Sequence, residues 1–278
     1  MDFFKRIFDF YILSNIHVAI SGFCITKISL IKFGVNNSEV PFFVAFSIIV
    51  SYNFIRFYEL KIKRLNWFKY WFFENKIKIG VLTIISMLLL MYITFFMNFN
   101  RMSLLILFPF SFMTFFYVVP LFKIKGVPFS FRYFPSIKIF SIAVAWAGIS
   151  VLFPLYEAEF KFSSLVYFEF IKRVLILIAI TIPFDIRDVI SDVETLKTIP
   201  QLIGIKKSKI VGTFLLLLFL SLAIFNNEFL FSDVLIALIT LSFLWFSSEK
   251  KSKYYTGFWV ESIPIIWLLL LILINNGI

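Results

Sequence analysis

The residues best suited to chemistry lie between Thr181 and Pro200, where an apolar run ends in Asp185, Asp188 and Asp192. The spacing is three and then four. On a helix of 3.6 residues per turn it places all three carboxylates on one face, within an arc of about 60°. Like charges so arranged repel, and a cation among them relieves the repulsion. Carboxylate oxygens suit a hard ion, and Mg²⁺ typically joins one or two carboxylates to the phosphates of a substrate. The bland alternative is a solvated helix end with ordinary surface acids.

Basic residues near this stretch would complement a phosphate. Arg187 and Lys197 lie within it, and Lys123 and Lys138 precede it. Metal and bases together would neutralise an anionic leaving group. For each lysine the competing reading is simple anchoring at a membrane surface. On an ideal helix Arg187 projects roughly opposite the aspartates, so it could pair with lipid or a loop instead. Arg56 interrupts another apolar run, which marks either a site or a buried pair with Glu59.

Composition determines where such a site must sit. The 278-residue chain is 61% hydrophobic, contains 41 phenylalanines, and has a mean hydropathy of +0.95. These values indicate a polytopic membrane protein. Its single cysteine, Cys24, excludes an internal disulfide and any cysteine-based metal site. The net charge of +11 points to loops facing anionic lipid and not to nucleic acid. Lys5 and Arg6 precede the first apolar run with no small-residue cleavage site, so an uncleaved first span is expected.

A hydrocarbon core of about 30 Å needs about 20 apolar residues per helix. Segments beginning near residues 7, 40, 77, 102, 134, 163, 208, 230 and 255 meet that need. The sequence therefore predicts one all-α domain over residues 1–278 with nine transmembrane helices. The first span carries Asn15, His17 and Lys27. The sixth carries Glu169, Lys172 and Arg173, spaced for ion pairs along one helix. His17 and Cys24 read as packing residues. Most of the 27 basic residues fall in alternate loops, which predicts a cytoplasmic N-terminus and an external C-terminus. The aspartate stretch is then cytoplasmic.

Pro183-Phe-Asp-Ile-Arg-Asp-Val-Ile-Ser-Asp192, with Lys197-Thr-Ile-Pro200 and Gly204, resembles the second aspartate-rich motif of the UbiA superfamily of intramembrane prenyltransferases. Tyr117-Val-Val-Pro-Leu-Phe-Lys123 resembles the family's tyrosine–proline–lysine loop, and Lys138 with Ala145-Trp146 is also in family style. The resemblance runs along the whole chain. It implies Mg²⁺ on Asp185, Asp188 and Asp192. It also implies a diphosphate held by Asn53, Arg56, Lys123, Lys138, Arg187 and Lys197, with Tyr117 in the cavity. The chain departs from the family at the first motif, Asn-Asp-x-x-Asp-x-x-x-Asp. Here it reads Asn53-Phe-Ile-Arg-Phe-Tyr-Glu-Leu-Lys61, with Phe54, Phe57 and Lys61 at the aspartate positions. One metal plus Arg56 is the expected substitute, since a guanidinium matches phosphate in a bidentate fork.

The function this implies is Mg²⁺-assisted transfer of an isoprenoid chain from a prenyl diphosphate to a lipophilic acceptor of aromatic or quinone type. The expected location is the bacterial inner membrane, with the active face cytoplasmic. The alternative is a non-catalytic member of the fold that binds lipid or a partner. A transporter would call for internal repeats and helices broken at mid-membrane, and neither is clear.

Overall fold

The computed structural model describes residues 2–61, 66–120, 122–124, 127–129, 137–191, 196–225 and 231–276. The chain folds almost wholly into helices. In order they are α1 (Asp2–Leu13), α2 (Ile16–Lys32), α3 (Glu39–Lys61), α4 (Asn66–Phe96) and α5 (Ser103–Val118). Then come α6 (Ile137–Ala147), α7 (Phe153–Glu157), α8 (Ser164–Asp188), α9 (Ile199–Ile203), α10 (Ile205–Phe225), α11 (Phe231–Phe246) and α12 (Ile263–Asn276). Five helical rods are long and apolar enough to cross a membrane, and a sixth qualifies if α1 and α2 count as one bent span. The rod from Lys138 to Glu157 joins α6 to α7 through a π-helical turn at Gly148–Leu152. A second π-helical turn, Tyr255–Val260, leads into α12.

Two details depart from the sequence reading. The fold is not purely α: β1 (Phe122–Ile124) and β2 (Val127–Phe129) form an antiparallel hairpin after α5. The first apolar segment, read from near residue 7, is also not one straight helix. The chain bends by 53° between α1 and α2. Asn15, with φ 67°, sits in the left-handed region that asparagine tolerates better than most residues. Before the bend, α1 exposes Phe3, Phe4 and Ile7. It is tied down by Phe8 packing on Phe258 and by Tyr254, whose hydroxyl donates to Asp9 at 2.5 Å.

Side-chain capping sets several boundaries. Asn37 Oδ1 accepts from the backbone N–H groups of Glu39 and Val40 and starts α3. Thr198 and Gln201 form a reciprocal capping box on α9, Pro200 lies in its first turn, and Gly204 ends it at φ 81°.

The two largest apolar clusters of the bundle share α2. In one, α2, α8, α10, α11 and α12 contribute Ile28, Ile176, Phe219, Ile236 and Trp267. In the other, Val18 of α2, Val44 and Ile48 of α3, Ile93 of α4 and Phe153 of α7 come together. On α4, by contrast, only 17% of the most apolar window is buried, so its Met87, Leu88, Met91 and Phe95 face outward to lipid.

The sixth apolar segment is α8, whose charges are neutralised within the protein. Arg173 bonds Glu169 at 2.9 Å and Lys172 meets Glu169 at 3.2 Å, as the spacing predicts. The network extends further. Lys32 of α2 reaches both oxygens of Asp233 on α11 at 3.1 Å, and Lys172 reaches Asp233 at 3.4 Å. Arg173 also donates to the carbonyl of Ile25 at 2.7 Å. The guanidinium of Arg173 and the ammonium of Lys32 lie 4.9 and 5.1 Å from the ring centre of Trp267. These side chains are at most 8% exposed.

Candidate functional site

At the other end of α8, charge gathers a second time. Pro183 lies inside the helix, which runs on to Asp188 and stops there. The one-face arrangement of three aspartates therefore does not lie on a single helix. Asp185 is in the last turn, Asp188 is the final helical residue, and Asp192 lies outside the described residues.

The two described aspartates occupy different surroundings. Asp185 is 1% exposed and takes the ammonium of Lys138, at the start of α6, at 2.6 Å. That is a short charge-assisted contact between two helices. Asp188 is partly exposed and is clasped by Arg187, whose Nε donates to one oxygen at 2.7 Å and Nη2 to the other at 2.6 Å. The remaining Arg187 nitrogen, Nη1, donates to the Thr256 hydroxyl in the π-helical turn. Arg187 thus does not point away from the aspartates, as an ideal helix would have it. Adjacent residues do not face each other along a regular helix. At the helix end, however, the long side chain folds back around its neighbour.

Arg56 and Arg187 both interact electrostatically with Glu261. Arg56 also feels Glu59, and its guanidinium lies 5.0 Å from the Phe68 ring centre. So α3, α8 and the start of α12 converge on one charged mouth. Glu261 and Thr256 were not anticipated from the sequence. An acid inside the last apolar run was a usable signal for Glu261. Nothing in the sequence singles out Thr256.

Asn53 is buried beside this mouth but engaged elsewhere. Its Oδ1 accepts from Asn15 Nδ2 at 2.7 Å, and its Nδ2 donates to Thr83 at 3.0 Å. It joins α2, α3 and α4. Lys197 is exposed just before α9. The side chains of Tyr117 and Lys123 lie outside the described residues. Phe54 and Phe57, at the positions where the resemblance would have acids, are 42% and 59% exposed. Phe54 stacks on Phe115 of α5 with ring centres 5.6 Å apart. These positions offer outward aromatic rings in place of carboxylates.

A divalent ion needs carboxylates free to coordinate it. Asp185 is taken by Lys138 and Asp188 by Arg187. Among the described residues no three His, Cys, Asp or Glu side chains are grouped to hold a metal. As arranged, the described donors do not fit Mg²⁺.

No protein-family model matches the chain, and no curated protein does. Solved structures do. A UbiA homologue from Aeropyrum pernix K1 superposes with a TM-score of 0.65 at 12% identity, over 94% of this chain and 98% of that one. This chain has the fold of the UbiA superfamily. A digeranylgeranylglyceryl phosphate synthase of membranes shares it, with a TM-score of 0.56 at 18% identity, over 95% of this chain and 98% of that one. The UbiA fold and the long apolar rods together make this a multi-pass integral membrane protein. The family resemblance drawn from Pro183–Asp192 is thereby upheld at the level of fold.

Proposed function

We propose that this protein transfers an isoprenoid group from a prenyl diphosphate to a lipophilic acceptor, aromatic or quinone-like, within the membrane. The observation that carries this reading is the convergence of Arg56, Lys138 and Arg187 around Asp185, Asp188 and Glu261 at one end of a UbiA-type bundle. The reaction breaks the allylic C–O bond, and the electron pair leaves with the diphosphate. The acceptor's nucleophilic carbon or oxygen bonds the allylic carbon, and the acceptor loses a proton. The protein must therefore stabilise negative charge growing on the leaving group. Fixed cations in a water-poor mouth do this strongly because they need little reorganisation. Arg56 and Arg187 can each offer two parallel N–H donors, and Lys138 offers a point charge.

In this reading all nine apolar segments of the sequence cross the membrane, with the N-terminus and the charged mouth cytoplasmic and the C-terminus outside. Asp185 and Asp188 orient Lys138 and Arg187. The Mg²⁺ expected from the sequence carries no step here. Lys123 and Lys197 remain further diphosphate-binding cations of this reading.

A second reading, a lipid-binding member without turnover, draws support from the same ion pairs, since a mouth closed by its own charges can persist without a substrate. One assay separates the two. Full-length protein in phospholipid vesicles is given farnesyl or geranylgeranyl diphosphate with lipid-soluble phenols and quinols, and diphosphate release is measured. Release that falls at least tenfold in Arg56→Ala supports transfer. No release with any donor–acceptor pair supports the non-catalytic reading.

A further inference from the structure

The mouth differs chemically from a metal-bridged diphosphate site. We infer that this chain binds the diphosphate of its lipid donor directly through side-chain cations, without a divalent metal. The inference rests on the prenyl-diphosphate reading above and specifies how the anion is held.

Three observations lead to it. First, each described aspartate already has a cation supplied by the protein: Lys138 at 2.6 Å from Asp185, and Arg187 in a two-point clasp on Asp188. A metal entering here would have to displace an ammonium from a buried carboxylate or sit beside it against like-charge repulsion. Second, Arg56 stands on the stretch of α3 that would otherwise supply acids, while Phe54 and Phe57 turn outward. A positive charge is thus built into the wall where a bound ion would have supplied one. Third, Glu261 interacts electrostatically with both Arg56 and Arg187, which sets the two guanidinium groups about one acidic side chain. Phosphate oxygens can accept from guanidinium groups in the same planar geometry as a carboxylate.

When the diphosphate enters, its oxygens share the N–H donors that the carboxylates engage in the free protein. Lysine's three donors and arginine's five allow this sharing. Asp185, Asp188 and Glu261 are then positioning residues that keep three cations apart and aimed.

The test uses full-length protein in vesicles and radiolabelled farnesyl and geranylgeranyl diphosphate. Equilibrium binding is measured in EDTA and in millimolar Mg²⁺. Affinity is expected to agree within about threefold between the two, and tightening by about tenfold or more in Mg²⁺ overturns the inference alone. No binding of either lipid in either condition overturns the prenyl-diphosphate reading and the inference with it. In EDTA, Arg56→Ala is expected to weaken binding at least about tenfold while Arg56→Lys keeps part of it, and wild-type affinity in Arg56→Ala overturns the inference. Mn²⁺ alone, followed by its electron paramagnetic resonance signal, should remain free beside the protein. Micromolar Mn²⁺ binding that disappears in Asp188→Asn would also overturn it.

Discussion

Asp185 and Lys138 show how one buried contact can serve both stability and recognition. The carboxylate is 1% exposed and its partner 13%. Removing one member of such a pair leaves an uncompensated charge, which typically destabilises by about 3–5 kcal/mol. Lys138→Met is therefore expected to lower the melting temperature of the detergent-solubilised protein clearly. The double variant Lys138→Met/Asp185→Leu should regain most of the loss and still bind no diphosphate lipid. Thermal unfolding followed by tryptophan fluorescence gives the first result, and lipid binding gives the second. The pair Arg187–Asp188 is different, being 25% and 31% exposed, so its contribution to stability is small. Asp185 and Asp188 stood out in the sequence because their spacing is local, and Lys138 through the resemblance. Their pairing was not legible there. It depends on where α6 meets α8, and no spacing within either helix encodes that. Arg187 was misdirected because ideal helical projection ignores a helix end, where a long side chain can turn back. Glu261 was overlooked although an acid inside an apolar run is itself a signal.

At the scale of elements, the break at Ser14–Asn15 was the least readable feature. The apolar run continues across it, so composition alone suggests one span from residue 7. The bend comes from one left-handed residue whose side chain also bonds Asn53 at 2.7 Å. These two roles can be separated. Asn15→Gly keeps the backbone conformation and loses the bond, whereas Asn15→Leu loses the bond and strains the backbone as well. Both should lower thermal stability, with Asn15→Leu the worse by about 1 kcal/mol or more. Equal melting temperatures would show that the left-handed conformation is not what matters. The short α9 has local bounds that were not used: proline near its start and glycine just past its end. The β1–β2 hairpin escaped notice because Pro128 and the flanking basic residues read as an ordinary loop.

Across the whole molecule, the class and the resemblance were legible because hydropathy and charge are summed over many residues. The orientation proposed from them can be measured directly. Cys24 is buried, so added surface cysteines are the reactive ones. In sealed cells, Arg101→Cys should react with a membrane-impermeant maleimide, and Ser252→Cys should react only after the membrane is opened. The reverse pattern would turn the bundle over. The first half of α8 contains three charged residues that would be costly alone in lipid, and each of them is paired. Their partners are far apart along the chain. Lys32 is made well before α8, but Asp233 lies on α11, which emerges from the ribosome only after α10. When α8 first leaves the translocon, Glu169 can find Lys32, while Lys172 still lacks its distant acid. Until α11 arrives, Lys172 has only Glu169 of its own helix as an acidic partner. The buried network thus imposes an order of assembly, in which α11 completes the integration of a helix synthesised before it.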